Sequence, residues 1–469
     1  MSPDDTVTAE GDRAPVGTGS GDSASGETAS GGAASGGAAS GGAVADAPER
    51  IVADGRLRPD ADGRGWAYLP TATVQSHAAN LAELPDGRLA CVWFGGTQEG
   101  VSDIHVWSST LDAGTWSEPV RLSDDPARSE QNPVLFVAPS GDVWLLYTAQ
   151  RAGNQDSAEV RRRVSTDGGT TWGEPSTLFA ADETGGVFVR QPPLVTRDGD
   201  LLVPVFRCVT TPGRAWVGDH DTSSVMTSRD GGDTWGEVAV PGSTGAVHMN
   251  VHELPDASLL ALFRSRWADA VHESRSTDGG RTWSPPVPTE LPNNNSSVQW
   301  VPLADGRLAI VYNHRRADAT TERRLGLYDE IDESGIVEQA VLPGAAVDAG
   351  ADGGIDADAD GEARVGEGRT AFWGTPRAPM SLAVSSDGGR SWPHRLDLED
   401  GDGWCLSNNS RDGLNRELSY PSITQTSDGA VHVAYTWHRR AIRHVRLSPA
   451  DLPGADLPGS GLPGPGLAG

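Results

Sequence analysis

Apolar residues along this chain come in short paired runs. A strand-length apolar segment, a tight polar turn and a second apolar segment follow one another six times. The first three copies are Asn80 to Phe94 around Asp86-Gly87, Pro133 to Tyr147 around Gly141-Asp142, and Pro192 to Phe206 around Asp198-Gly199. Val251 to Phe263 around Asp256-Ala257, Val298 to Tyr312 around Asp305-Gly306, and Pro421 to Tyr435 around Asp428-Gly429 complete the set. Runs such as Leu89 to Phe94 and Leu308 to Tyr312 are apolar almost without a break, as in strands buried on both faces.

A second unit recurs between these hairpins. Ser276-Thr-Asp-Gly-Gly-Arg-Thr-Trp283 returns nearly unchanged at Ser165 to Trp172, Ser228 to Trp235 and Ser385 to Trp392, with a degenerate copy from Ser109 to Trp116 that keeps Asp112. Its Asp accepts from backbone N–H groups, its glycines supply positive φ, and its Trp caps an apolar cluster; the unit spells a hairpin turn. One hairpin of each kind makes four strands, and six such sets make a closed ring. The fold class expected is therefore all-β, a six-bladed β-propeller with four-stranded antiparallel blades. The sixth hairpin has no such turn after it, so its outer strand is expected from the segment Trp66 to Val74, ahead of blade one.

Composition sets the limits of this domain. Residues 1–48 are mostly Gly, Ser, Ala and Thr and are expected to form a disordered tail; 449–469, with repeated Leu-Pro-Gly, are expected to form another. The propeller then spans 49–448, with a long Gly-, Ala- and Asp-rich insertion in blade five over 318–371. Inside it, Asp356, Asp358, Asp360, Gly361 and Glu367 match a calcium-loop pattern, but the biased surroundings and the lack of flanking amphipathic helices assign the match to composition. Cys91, Cys208 and Cys405 are odd in number and scattered, which fits reduced structural thiols. No metal and no cofactor is expected. The N-terminus shows no basic and apolar leader pattern and no apolar run spans a bilayer, so a soluble cytoplasmic protein is the expectation. A formal net charge of -28 disfavours nucleic acid and anionic membrane as partners.

In a propeller, residues just before the six hairpins converge near the axis on one face. Those positions hold His77 and Asn80, Gln131 and Asn132, Arg190 and Gln191, His248 and Asn250, Asn295 and Ser297, and Glu417 and Tyr420. The far ends of the second strands add Glu99, Asp103, Arg207, Arg264, Arg266, His314 and Arg439. The Asp carboxylates of the repeated turns, by contrast, belong to outer strands and are not read as catalytic.

The Ser-x-Asp-Gly-Gly-x-Thr-Trp turns are Asp-boxes, or BNR repeats, and the chain resembles the sialidase-like propellers that carry them. Sialidases grip a substrate carboxylate with three arginines, use a Tyr nucleophile assisted by a Glu, and employ an Asp as acid/base. By that resemblance Arg264, ending Leu259 to Arg264, stands for the second arginine, Arg377 for the third, and Tyr420 for the nucleophile. The first arginine is replaced by His77, and the glutamate by His248. Glu99 and Asp103 are both offered as the acid/base; Arg190 and Asn132 are further substrate-binding candidates.

The partner implied is a carbohydrate bearing a carboxylate, of the sialic or uronic acid class. An exo-acting glycosidase is the first expectation. The two histidines keep a uronate lyase open, since elimination needs a base and a neutralised carboxylate. A glycan-binding propeller without turnover is the third.

Overall fold

A computed structural model describes residues 51–210, 216–323, 331–332, 335–336, 369–404 and 415–455. The N-terminal tail, the calcium-like pattern, Cys405 and most of the blade-five insertion lie outside the described residues.

Six antiparallel sheets form a closed ring, a six-bladed β-propeller as the repeat count predicts. Blade one runs through Gln75–Glu83, Leu89–Gly96, His105–Asp112 and Thr115–Trp116. Blade four is as regular, with Ala246–Glu253, Leu259–Ser265, Ala270–Ser276 and Val287–Pro292. In blade five the insertion falls between the second strand, Leu308–Asn313, and the third, Met380–Ser385. Blade six closes the ring with the start of the domain: Gly65–Tyr68 pairs with Ala441–Leu447, Trp66 opposite Val445. Among the described residues the helical content is one 3-10 turn, Pro449–Asp451, after which Leu452 packs into the core, so the packed chain runs past the expected boundary at 448.

The apolar core is a set of layers between neighbouring blades. Val92, Leu135 and Leu145 meet between blades one and two, and Val134, Val187 and Val203 between two and three. Further layers close around Leu262 and Ile310, and around Leu382 and Val433. Each inner strand touches a different layer on each face, which is why Leu89 to Phe94 carries no polar alternation.

The Ser-x-Asp-Gly-Gly turns join the third and fourth strands and lock each blade to its predecessor. At Asp278, Oδ1 accepts from Ser276 Oγ at 2.8 Å and Thr282 N at 2.9 Å, and Oδ2 accepts from Thr282 Oγ1 at 2.6 Å. The copies at Asp167, Asp230 and Asp387 repeat these bonds. These bonds hold the Asp278 carboxyl at about 2, so it is spent on the turn. The turn's Trp then reaches into the preceding blade: Trp283 packs with Leu202 of blade three, and Trp392 with Leu260 of blade four. The second glycine sits against that same blade. A Cβ on Gly232, at φ +100°, would stand 2.6 Å from Trp144.

Candidate active site

A backbone irregularity repeats at the inner edge of the ring. The innermost strands of blades one, two, four and six each carry a bulge, between His77 and Asn80, Gln131 and Val134, Val247 and Asn250, and Ser419 and Ser422. The residue after the break adopts a left-handed conformation: Ala78 at φ 60°, Asn132 at 49°, His248 at 57° and Tyr420 at 50°. Asn295, at the entrance to blade five, has φ 57°. Such conformations are uncommon for non-glycine residues and cost on the order of 1–2 kcal/mol each, so their recurrence at equivalent inner-strand positions marks a candidate site. The bulge re-aims a side chain that a regular strand would bury between blades.

These rims bring together the residues singled out in the sequence. Tyr420 is 6% exposed, and its hydroxyl accepts from Arg264 Nη1 at 2.6 Å. Arg264 Nε donates to Asn295 Oδ1 at 2.7 Å, and its Nη2 is buried without a partner. The His77 ring lies 4.4 Å from the Tyr420 ring and the His248 ring 5.7 Å. Arg190, Arg264 and Arg377 place guanidinium carbons 5.4, 5.6 and 5.6 Å from the same ring. Among the described residues no acceptor takes the Tyr420 hydroxyl proton.

Both imidazoles are neutral. Burial holds His77 and His248 well below the usual histidine range, reinforced by Arg439 at His77 and by Arg264 at His248. Arg264 Nη1 lies 3.5 Å from His248 Nε2, and a guanidinium only donates, so Nε2 presents its lone pair and Nδ1 carries the proton. Burial also pushes Arg264 down to about 9, against the opposing pull of Tyr420.

The carboxylates occupy a separate position. Glu417 Oε2 accepts from Arg377 Nη1 at 2.9 Å, and Oε1 accepts from Arg439 Nε at 2.7 Å and Ser419 Oγ at 3.1 Å. Glu99, 5% exposed, accepts from the other side of Arg439 at 2.5 Å. Glu99 and Arg377 are thus joined through a buried chain of alternating charge. Asp103 stands apart: it is exposed, and its Oδ1 accepts from the Thr97 backbone N at 3.2 Å. Asn132 lies on the blade-two rim with Oδ1 buried and unpartnered. Arg207 is on the outer side, paired with Asp182 and Glu237, and Arg266 is bound by Asp221.

Trp373, near the end of the insertion, escaped the sequence reading. It lies 5.5 Å from the Arg264 guanidinium and is anchored by its indole N–H on Val217 O. The signal was Phe372-Trp373, an aromatic pair after a long stretch with nothing to pack.

Known proteins share this architecture. The family model described as BNR repeat-like domain matches residues 87–433. An anhydrosialidase of Macrobdella decora is 27% identical over 199 residues, which cover 38% of this chain and 24% of that protein, so the chain matches about a quarter of its relative's length. Among solved structures, the Hadza microbial sialidase Hz136 aligns with TM-score 0.56 at 14% identity, covering 81% of this chain and 67% of that one. The intramolecular trans-sialidase of Ruminococcus gnavus, in complex with oseltamivir carboxylate, aligns with TM-score 0.55 at 15% identity, covering 86% and 99%. The family match spans most of the chain, from the first inner hairpin to the last, and the chain belongs to the BNR repeat-like domain family.

Proposed function

We propose that the axial site cleaves the glycosidic bond of a terminal, carboxylate-bearing sugar of the sialic or uronic acid class, with Tyr420 as the reacting residue. The observation that carries this reading is the environment of the Tyr420 hydroxyl, which accepts from a buried guanidinium and has neutral imidazoles beside its ring. Arg264 Nη2 and the Arg377 guanidinium suit the substrate carboxylate. The depth of the side chains suits a chain end better than a chain interior. In hydrolysis, Tyr420 Oη bonds to the anomeric carbon as its proton passes to His248 Nε2. The glycosidic oxygen leaves with its electron pair and takes a proton from the blade-one loop, where Asp103 is, among the described residues, the carboxyl without a guanidinium. Water then displaces the tyrosine.

Elimination is the second reading, favoured by a specific observation: among the described residues no carboxylate touches the Tyr420 hydroxyl, and Glu99 and Glu417 are both committed to guanidiniums. Here the arginines neutralise the substrate carboxylate and Tyr420 with His248 removes the proton on the adjacent carbon. The freed electron pair forms a C=C bond to the next carbon, and the glycosidic oxygen on that carbon, C4 of a uronate, departs with its own pair and is protonated, so this reading takes a uronate substituted at C4 rather than a terminal sugar.

The test is incubation with sialosides and uronate-bearing oligosaccharides, the uronates both terminal and C4-linked, following absorbance near about 235 nm beside reducing sugar. New unsaturation means elimination; released sugar without it means hydrolysis; binding with neither means a lectin-like propeller. Tyr420→Phe is expected to lower turnover at least about 1000-fold while leaving affinity within about threefold. Full turnover in that variant would remove Tyr420 from the chemistry.

A further inference from the structure

One buried charge at the axis has no counter-ion among the described residues. Arg190 follows the inner strand Gly185–Val189 of blade three and is 1% exposed. Its Nη2 donates to three carbonyls, those of Ala79 at 3.1 Å, Tyr420 at 3.1 Å and Pro421 at 3.2 Å, while Nε and Nη1 have no partner. Taking a guanidinium out of water without an anion is costly, and two unpaired donors add to that cost. Burial accordingly pushes Arg190 down to about 10. A residue kept under that penalty has work that a neutral side chain cannot do.

The identity of the three carbonyls shows what that work is. Ala79 follows the left-handed Ala78 in the bulge of blade one, and Tyr420 and Pro421 form the bulge of blade six. Arg190 therefore crosses from blade three to tie together the two strained segments that carry His77 and Tyr420. Its guanidinium carbon also lies 5.4 Å from the centre of the phenol ring. These contacts run to main chain and ring.

We propose that Arg190 is the positioning residue for Tyr420, fixing the backbone on which the phenol stands and setting an unneutralised positive charge against its ring. That charge favours negative charge on the phenol oxygen as the reaction proceeds. The inference rests on Tyr420 as the reacting residue.

Its test needs no substrate. Tyrosinate absorbance near about 295 nm is titrated in the wild type and Tyr420→Phe, whose difference reports Tyr420 alone, then in Arg190→Met and Arg190→Lys paired with the same phenylalanine variant. The Met background is expected to move the difference midpoint up by about one pH unit or more, and Lys by less. On the acidic oligosaccharides, Arg190→Lys is expected to lower kcat about 10-fold with KM within about twofold. An unmoved midpoint, or a KM raised 10-fold or more at unchanged kcat, overturns the proposal. If the Met variant fails to fold, the Lys variant decides on both readouts. Full turnover by Tyr420→Phe sinks the function reading; a Tyr420-dependent enzyme with a normal titration in the Arg190 variants sinks only this inference.

Discussion

At the scale of single residues, the site separates groups that donate charge from groups that are kept neutral. His248 is neutral, and its Nε2 lone pair, 3.5 Å from Arg264 Nη1, is the acceptor in the proposed step, so the Arg264 contact gives way as the Tyr420 proton arrives. Substituting His248→Gln, which retains a polar side chain but no base, should lower kcat about 100-fold or more with a small change in KM, measured on whichever acidic sugar is turned over. Glu417 has the opposite character. Its two oxygens neutralise Arg377 and Arg439, so Glu417→Ala should cost about 3–5 kcal/mol in urea unfolding; an unchanged midpoint would show that those guanidiniums find other partners. The sequence names Tyr420, His248, Arg264 and Arg377 because each ends or opens a recognisable strand. It does not show that Glu99 is bound to Arg439, because that pair is 340 residues apart and only ring closure makes it local.

At the scale of elements, the strands are longer than their apolar runs. The reading starts the first hairpin at Asn80, whereas the strand begins at Gln75. Apolar character stops at the bulge, where the chain turns polar side chains toward the axis, so the pattern that reveals the strand ends where the candidate site begins. The turns are the reverse case, legible letter by letter because each letter has a bond or a contact to make. A matched pair of substitutions checks this. Gly231 and Gly232 both have positive φ, but a Cβ on Gly231 meets open space and one on Gly232 meets Trp144. Gly231→Ala should cost about 1 kcal/mol and Gly232→Ala a further 1–3 kcal/mol, roughly, by chemical denaturation. Equal losses would mean that backbone strain alone sets the cost.

At the scale of the whole molecule, stability is tied to keeping buried histidines uncharged. His252, His432 and His438 are held at about 4 by burial, and His77, His248 and His444 well below the usual range. Their unfolded value of 6.5 lies above the folded one, so between the two the unfolded chain binds more protons. Stability should be level for these groups above about pH 6.5 and fall as pH drops toward 4, by up to about 3 kcal/mol for each fully titrated histidine. The turn aspartates, with lowered values, add a second loss only below about pH 4. Urea midpoints across this range check the sign; a flat profile from 6.5 to 4.5 would place the histidines in contact with water.

Blade six also ties its first strand to its last. Gly65–Tyr68 is made before the intervening blades and its partner Ala441–Leu447 after them, with Trp116 of blade one donating its indole N–H to His444 across the seam. A growing chain therefore holds an open strand edge until almost the whole propeller has left the ribosome. Such an edge invites pairing with a neighbouring chain. Clipping residues 441–447 should consequently yield intermolecular aggregates rather than a five-bladed remnant.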